Sequence, residues 1–421
     1  MFRITYLTKT LLTITIFLNI VISQTLDDIK SQIVNDWQSI ALELVPNSQG
    51  DQVYPEYKRR QWNFTSDSEF TALIETFTDK SGSNKKLTFS GQGEITYQGA
   101  SDVISGAFLT KITFSKQALV TLHTDDLVTA FNGAQQGQDG VTWVKDKPQD
   151  ITTVAVPAMS KQSNSPFLSY DLVYIRDDYL YMGEVDVFGT HASADNPPKG
   201  LSAPLIPNPD PETPLTLDEL KQSILGGQWT SLTKEVRPGL SNQGKLMTTF
   251  QTRTLTFLSE LEFSLVLTSY SGYGQSSALM AMEVVGPYEW EEDASQVVPG
   301  AQFAKFSMTQ MYITPMSDEV TANLNQGLPQ GMDPFKTNQK VNMTGKDFPA
   351  LGMSSGSSMY ENDMVYQRQN RLFLEARPVD GGMLQPKERR TYSLQRDLID
   401  TSRSSFNGFL ILNLIMVILM I

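Results

Sequence analysis

The chain has no cysteine and only two histidines, His123 and His191, in 421 residues. A zinc site built on thiolates is therefore not available, and neither is a disulfide framework. Each folding unit must be held by its own buried core, for which a hydrophobic content of 40% is ample. Positive charge is also scarce. Lys and Arg number 33 against 46 Asp and Glu, a formal net charge of −13, and such a surface repels nucleic acid and anionic membrane. Long apolar runs are confined to the two ends.

At the start, Arg3 and Lys9 precede an apolar run from Leu11 to Ile22, with Val21 and Ser23 small enough for a signal peptidase site. Residues 1–23 are expected to be a signal peptide, the run being shorter than the roughly 20 residues that cross a bilayer. At the far end, Phe409 to Ile421 is apolar apart from Asn413 and follows a polar stretch with Asp400, Thr401, Ser402, Ser404 and Ser405. Residues 406–421 fit a GPI signal, with Asp400 or Ser402 as the attachment residue, or a short anchor. The protein is then expected on the extracellular face of the plasma membrane. Asn63-Phe64-Thr65 and Asn342-Met343-Thr344 have the form of N-glycosylation acceptors.

Equipment for catalysis is thin. Asp125-Asp126, Asp177-Asp178 and Glu291-Glu292 are adjacent carboxylates, which on strands or turns point to different sides and read as solvated turns. Asn208, Asp210 and Glu212 alternate like calcium ligands but are crowded by Pro207, Pro209, Pro211 and Pro214, with the loop glycine missing. Gly352-Met-Ser354-Ser-Gly356 has the form of a nucleophile elbow, yet no His follows Ser354. No catalytic residue, metal or cofactor is expected.

What the chain does have is internal duplication. Trp37, Glu43 and Pro46 keep the spacing of Trp229, Glu235 and Pro238; Arg60, Trp62 and Phe64 meet Arg253, Leu255 and Phe257; Glu69-Phe70 meets Glu262-Phe263; Gly106-Ala107 meets Gly300-Ala301; Asn132 meets Asn325. DLVYIRDDYLYMG from Asp171 answers DMVYQRQNRLFLE from Asp363, and TLDDIK at Thr25 answers TLDELK at Thr216. The offsets stay near 192 throughout, so the chain reads as a tandem repeat of two domains, 25–192 and 216–380. Pro-rich residues 193–215 read as a semi-rigid extended spacer, and 381–405 as a polar stalk.

Each copy opens on a short helix with a capping-box start, Thr25 with Asp28 and Thr216 with Glu219. The period then changes to short runs rich in β-branched and aromatic residues, parted by turn residues such as Ser66-Asp67-Ser68 and Arg176-Asp-Asp178. About eight such strands per copy predict a mainly β fold, an antiparallel barrel or sandwich. A barrel of that size holds its own side chains or one small apolar ligand. Trp62, Phe64, Phe70 and Tyr97, with Leu255, Phe257, Phe263, Tyr288 and Trp290, are the candidate lining. They either fill the interior or leave room for an acyl chain, each buried methylene contributing about 0.8 kcal/mol.

The string GQWTSLTKEVRPG, followed by Thr252-Arg253, Phe257, Val298-Pro-Gly300-Ala301, Ile313-Thr-Pro315 and Leu324-Asn325, resembles the APCDDC domain of the adenomatosis-polyposis-coli-down-regulated family. The resemblance covers Thr216 to about Pro378 and, more loosely, Thr25 to about Gly189. It implies a cell-surface glycoprotein of two lipocalin-like β-barrels that acts by binding a lipid or lipid-modified extracellular protein; animal members antagonise Wnt signalling. Lys234 stands where family copies commonly have Cys. The alternative is a structural or adhesive surface-coat glycoprotein with solid barrels.

Overall fold

The computed structural model describes residues 24–49, 52–135, 141–159, 161–186, 192–240, 246–273, 277–328, 331–346, 359–379, 387–394 and 397–402. The expected signal peptide, the 406–421 segment, His191 and the motif around Ser354 lie outside these residues.

Helix α1 (Leu26–Ile33) starts on the expected capping box, Thr25 and Asp28 each bonding the other's backbone N–H, and buries Ile29 and Ile33. Eight strands follow in a ring: β1 (Asp36–Ser39), β2 (Gln52–Phe64), β3 (Glu69–Phe77), β4 (Lys85–Ala100), β5 (Phe108–Leu122), β6 (Phe167–Arg176), β7 (Tyr179–Glu184) and β8 (Leu205–Pro207). Each pairs antiparallel with the next, and β8 returns to β1 through Ser39↔Leu205, Gln38↔Ile206 and Trp37↔Pro207. Helix α2 (Asp125–Ala134) sits between β5 and β6.

The second copy repeats this order. Helix α3 (Leu217–Ile224) has the same reciprocal cap from Thr216 and Glu219. The ring runs β9 (Gln228–Ser231), β10 (Leu246–Phe257), β11 (Glu262–Tyr270), β12 (Ala278–Asp293), β13 (Gln302–Met308), β14 (Met359–Arg368), β15 (Arg371–Phe373) and β16 (Leu398–Asp400), with helix α4 (Asp318–Gln326) between β13 and β14. β16 closes it on β9 through Trp229↔Asp400 and Thr230↔Ile399. The fold is mainly β, two eight-stranded antiparallel up-and-down barrels.

Two expected connectors are corrected by this closure. The 193–215 spacer supplies β8 and the 381–405 stalk supplies β16, each the eighth strand of its barrel. The prolines do not prevent it. Pro204 precedes β8 and Pro207 ends it, so neither removes a ladder bond from the strand's middle.

Equivalent details recur in both copies. Asn132 donates from Nδ2 to Trp143 O at 3.0 Å and accepts from Trp143 N at 2.8 Å; Asn325 does the same with Phe335 at 3.0 and 2.7 Å. Gly93 of β4 and Gly286 of β12 lie where a Cβ would fall 1.8 Å from the carbonyl oxygens of Thr113 and Ser307. Only glycine lets the long strand bend against its neighbour there.

The core divides into three parts. Each barrel has its own interior cluster, and a third joins the outer faces of the two barrels. Equivalent residues of the copies meet in that third cluster: Tyr174 and Tyr366, Leu172 and Met364, Tyr181 and Phe373. β6 thus buries Val173 and Ile175 inside and Leu172 and Tyr174 outside. Across the junction, Tyr179 Oη donates to Arg368 O at 2.9 Å and Tyr181 Oη to Asp397 Oδ2 at 2.7 Å. Arg371, fully buried, reaches Asp177 at 2.7 Å and Asp397 at 3.4 Å.

Candidate functional site

The spacing Trp-x-Ser-x3-Glu is a hydrogen-bonding device. In the first barrel Ser39 Oγ donates to Glu43 Oε1 at 2.6 Å and accepts from Arg60 N at 2.9 Å, while Arg60 Nε donates to the same Oε1 at 2.8 Å. In the second, Ser231, Glu235 and Arg253 repeat all three contacts at 2.7, 2.8 and 2.9 Å. Trp37 and Trp229, two residues before each Ser, point to the same side and are buried in the barrel clusters.

Each pair is backed by an aspartate on the sixth strand of its barrel, half-buried Asp171 and buried Asp363. Asp171 Oδ1 accepts from Gly183 N and Leu172 N at 2.6 and 2.7 Å; Asp363 Oδ1 accepts from Glu375 N and Met364 N at 2.5 and 2.8 Å. Burial pushes both carboxyls up to about 6, against those bonds and the nearby arginines. Glu375 is pushed up to about 8 by burial and by Asp363. Glu43 goes the other way: burial opposes its charge, but Arg60 and Lys58 outweigh it and hold the carboxyl below its usual range.

The strands that follow the two motifs face each other across a half-open cleft between the barrels, about 710 Å3 including its mouth. Leu44, Val45 and Pro46 of one copy and Val236 and Pro238 of the other form its apolar walls, with Val379 and Leu394. Lys58, Arg237 and Arg377 bring positive charge, Glu43 and Glu184 negative. Burial, with Arg253 nearby, pulls Arg237 down to about 10; burial, then Arg237 and Arg253, pulls Arg377 down to about 9. Arg237 pairs with Glu235 at 3.6 Å and Arg377 with Glu361, so the cations of this partly dry place are held by carboxylates.

The nine candidate lining residues fall in the barrel interiors. Trp62, Phe64 and Phe70 are buried and packed ring on ring, Trp62 to Phe70 at 5.1 Å and Phe70 to Phe114 at 5.2 Å. Tyr97 is half-buried against them. Leu255, Phe257, Phe263 and Tyr288 are buried together, Phe257 to Tyr288 at 5.2 Å, with Trp290 half-buried beside Tyr288. None of the nine lines the interbarrel cleft. The sequence reading missed that cleft because it belongs to neither copy alone. One signal was present: DLVYIRDDYLYMG is apolar on both strand faces, the mark of a strand buried on both sides.

Asn342 is exposed and Asn63 half-buried on β2. Asp400 and Ser402 lie at the end of β16, where Thr401 N donates to Gln228 O at 2.8 Å. Lys234 reaches Tyr273 O at 3.0 Å and lies 4.3 Å from the Tyr270 ring, tying its loop to the β11 hairpin without a disulfide. His123 sits between Asp146, 2.6 Å from Nδ1, and Thr88, 3.0 Å from Nε2. That order imitates a hydrolytic triad. Thr88, however, is mid-strand with its neighbours paired on both sides, so the strand's own amides are already committed to the ladder.

Among the described residues no group of three or more His, Asp or Glu could hold a metal ion, and no helix is long and apolar enough to cross a membrane. Comparison with curated proteins yields no match. A family model described as adenomatosis polyposis coli down-regulated 1 matches residues 212–370, from just before α3 to the end of β14. The match covers the opening helix and the first six ring strands of the second barrel, so this part of the chain is similar to the adenomatosis polyposis coli down-regulated 1 domain.

Proposed function

We propose that the protein is an extracellular binding protein, held at the plasma membrane through its C-terminal segment, that takes the acyl chain of a lipid or lipid-modified protein in the cleft between its barrels. The observation that carries this reading is the cleft itself, built from the equivalent strands of both copies. Its enclosed space is about 100 Å3, below the roughly 300–1,000 Å3 of sites that swallow a drug-sized ligand, so the cleft would grip only part of an acyl chain and leave the rest in its open mouth. Apolar walls suit an alkyl chain, and Arg237 and Arg377, paired with Glu235 and Glu361 yet disfavoured as charges by burial and by Arg253, suit an anionic headgroup. A lipid-modified Wnt protein is the ligand that the family resemblance implies. The barrels themselves, with aromatic rings stacked through the described interior, act as rigid walls.

Displacement of a fluorescent fatty acid from the purified protein tests this. The native protein is expected to bind it, and Ala376→Trp, which fills the cleft from a half-buried position, to weaken binding at least tenfold. Tight binding unchanged by Ala376→Trp would move the site elsewhere. The second reading, a coat glycoprotein with solid barrels, draws on the packed rings around Trp62 and Phe257, and no binding at all would favour it.

A further inference from the structure

The two barrels differ sharply at the end where the opening helix meets the turn after the second ring strand. In the first barrel that turn carries Thr65 and Ser68, and beside it Glu94 faces Glu69 across the ladder. Salt bridges from Lys30 to Asp67 at 3.3 Å and from Lys116 to Glu69 at 2.6 Å complete a solvated surface. In the second barrel the equivalent positions are Leu258, Leu261 and Pro287, the last paired with Glu262.

Leu261 is 70% exposed, Leu258 51% and Leu225 43%, which is far from the burial leucine ordinarily finds. They are neighbours: Leu225 bridges to Phe257, and Gly226 N donates to Phe257 O at 3.0 Å. At the helix exit the copies are alike, Val34 being 47% exposed where Leu225 is 43%; they part at the turn, which is polar in the first copy and apolar in the second.

The chain leaves the second barrel at the same place. β16 ends beside β9, and Thr401 donates to Gln228 O, two residues beyond Gly226. From Ser402 to Phe409, where the apolar C-terminal run begins, is seven residues, at most about 25 Å of extended chain. A membrane attachment at Asp400 or Ser402 would be shorter still. Either way the tether would keep the leucine-bearing end of the barrel within about 25 Å of the attachment point.

We infer that Leu225, Leu258, Leu261 and Pro287 form a membrane-docking surface that seats the floor of the second barrel on a zwitterionic lipid leaflet. Glu260 and Glu262 in the same turn disfavour an anionic leaflet. Docking fixes the barrel's orientation, where the tether alone would leave it free to tumble. The inference rests on the membrane attachment proposed above.

Because the chain has no cysteine, Leu261→Cys and Ser68→Cys each give a unique labelling site. The full chain would be reconstituted into phosphatidylcholine vesicles with a polarity-sensitive fluorophore at one site or the other. The probe at 261 is expected to shift to the blue and to lose at least half its emission to brominated phosphatidylcholine, while the probe at 68 stays water-like and unquenched. Leu258→Ser in the Leu261→Cys background, a change toward the polar turn of the first barrel, should cut that quenching at least twofold. A water-like probe at 261 on chains that float with the vesicles overturns docking and leaves the attachment standing; chains that do not float overturn both. A shielded probe that lipid does not quench, or disulfide pairing through position 261, would put the chain's own end or a second copy on the surface and overturn the inference.

Discussion

Arg253 Nε meets Glu235 Oε1 at 2.9 Å deep in the second barrel, and Arg60 meets Glu43 at 2.8 Å in the same way in the first. The two side chains of the second pair are 3% and 2% exposed, so each charge depends on the other. Removing one partner of a buried pair strands the other and costs about 3–5 kcal/mol. Glu235→Ala should therefore lower the unfolding free energy by about that much in urea titration. Glu235→Leu combined with Arg253→Met, which removes both members of the closer pair and leaves only Arg237, 3.6 Å from Glu235, without its carboxylate, should recover part of the loss.

Buried Asp363 makes stability depend on pH in the direction opposite to an ordinary ion pair. Asp363 has a folded pKa of about 6, above its unfolded value, so the folded state holds the proton more tightly. Its contribution is fully present below the unfolded pKa of about 4 and is lost as pH rises through about 6. Glu375, at about 8, extends the same trend upward. Asp363→Asn keeps the acceptor oxygen without the charge. It should be more stable than the native protein by up to about 3 kcal/mol above pH 7, with the difference vanishing near pH 4. Thermal melts across that range check the sign.

Arg371 couples the barrels. It lies fully buried between Asp177 of the first copy and Asp397 of the second, and burial raises the Asp397 pKa against the pull of Arg371. Arg371→Met should cost about 3–5 kcal/mol. Calorimetry should then show two heat transitions in place of one, as the barrels unfold separately.

The asparagine clip after each inserted helix gives a smaller, local effect. Asn325→Ala removes two bonds to Phe335, whose ring is buried in the second core. The expected cost is about 1–3 kcal/mol, and Asn132→Ala should match it by way of Trp143. Urea titration of the two variants checks that the copies behave alike.

Much of the barrel was legible because its signals are local. Thr25 with Asp28 and Thr216 with Glu219 announce the helices, Asp177 and Asp178 take the left-handed turn conformation between β6 and β7, and Asn132 and Asn325 keep step across the repeat. What was not legible is closure. Leu205–Pro207 and Leu398–Asp400 are three residues each, too short to show a period, and they lie in stretches whose composition favours open chain. The cleft was hidden for a different reason. Leu44 and Val236 come together only because Tyr174, Tyr366 and their neighbours pack the barrels side by side, a long-range fact that no window of sequence contains.

Native mass spectrometry of the purified protein tests the binding role most directly. An acyl-bearing adduct should accompany the native chain and be lost from Ala376→Trp while the fold, by circular dichroism, is kept. A native chain that carries no adduct even after incubation with fatty acid, or an adduct retained in full by Ala376→Trp, would contradict a ligand held between the barrels.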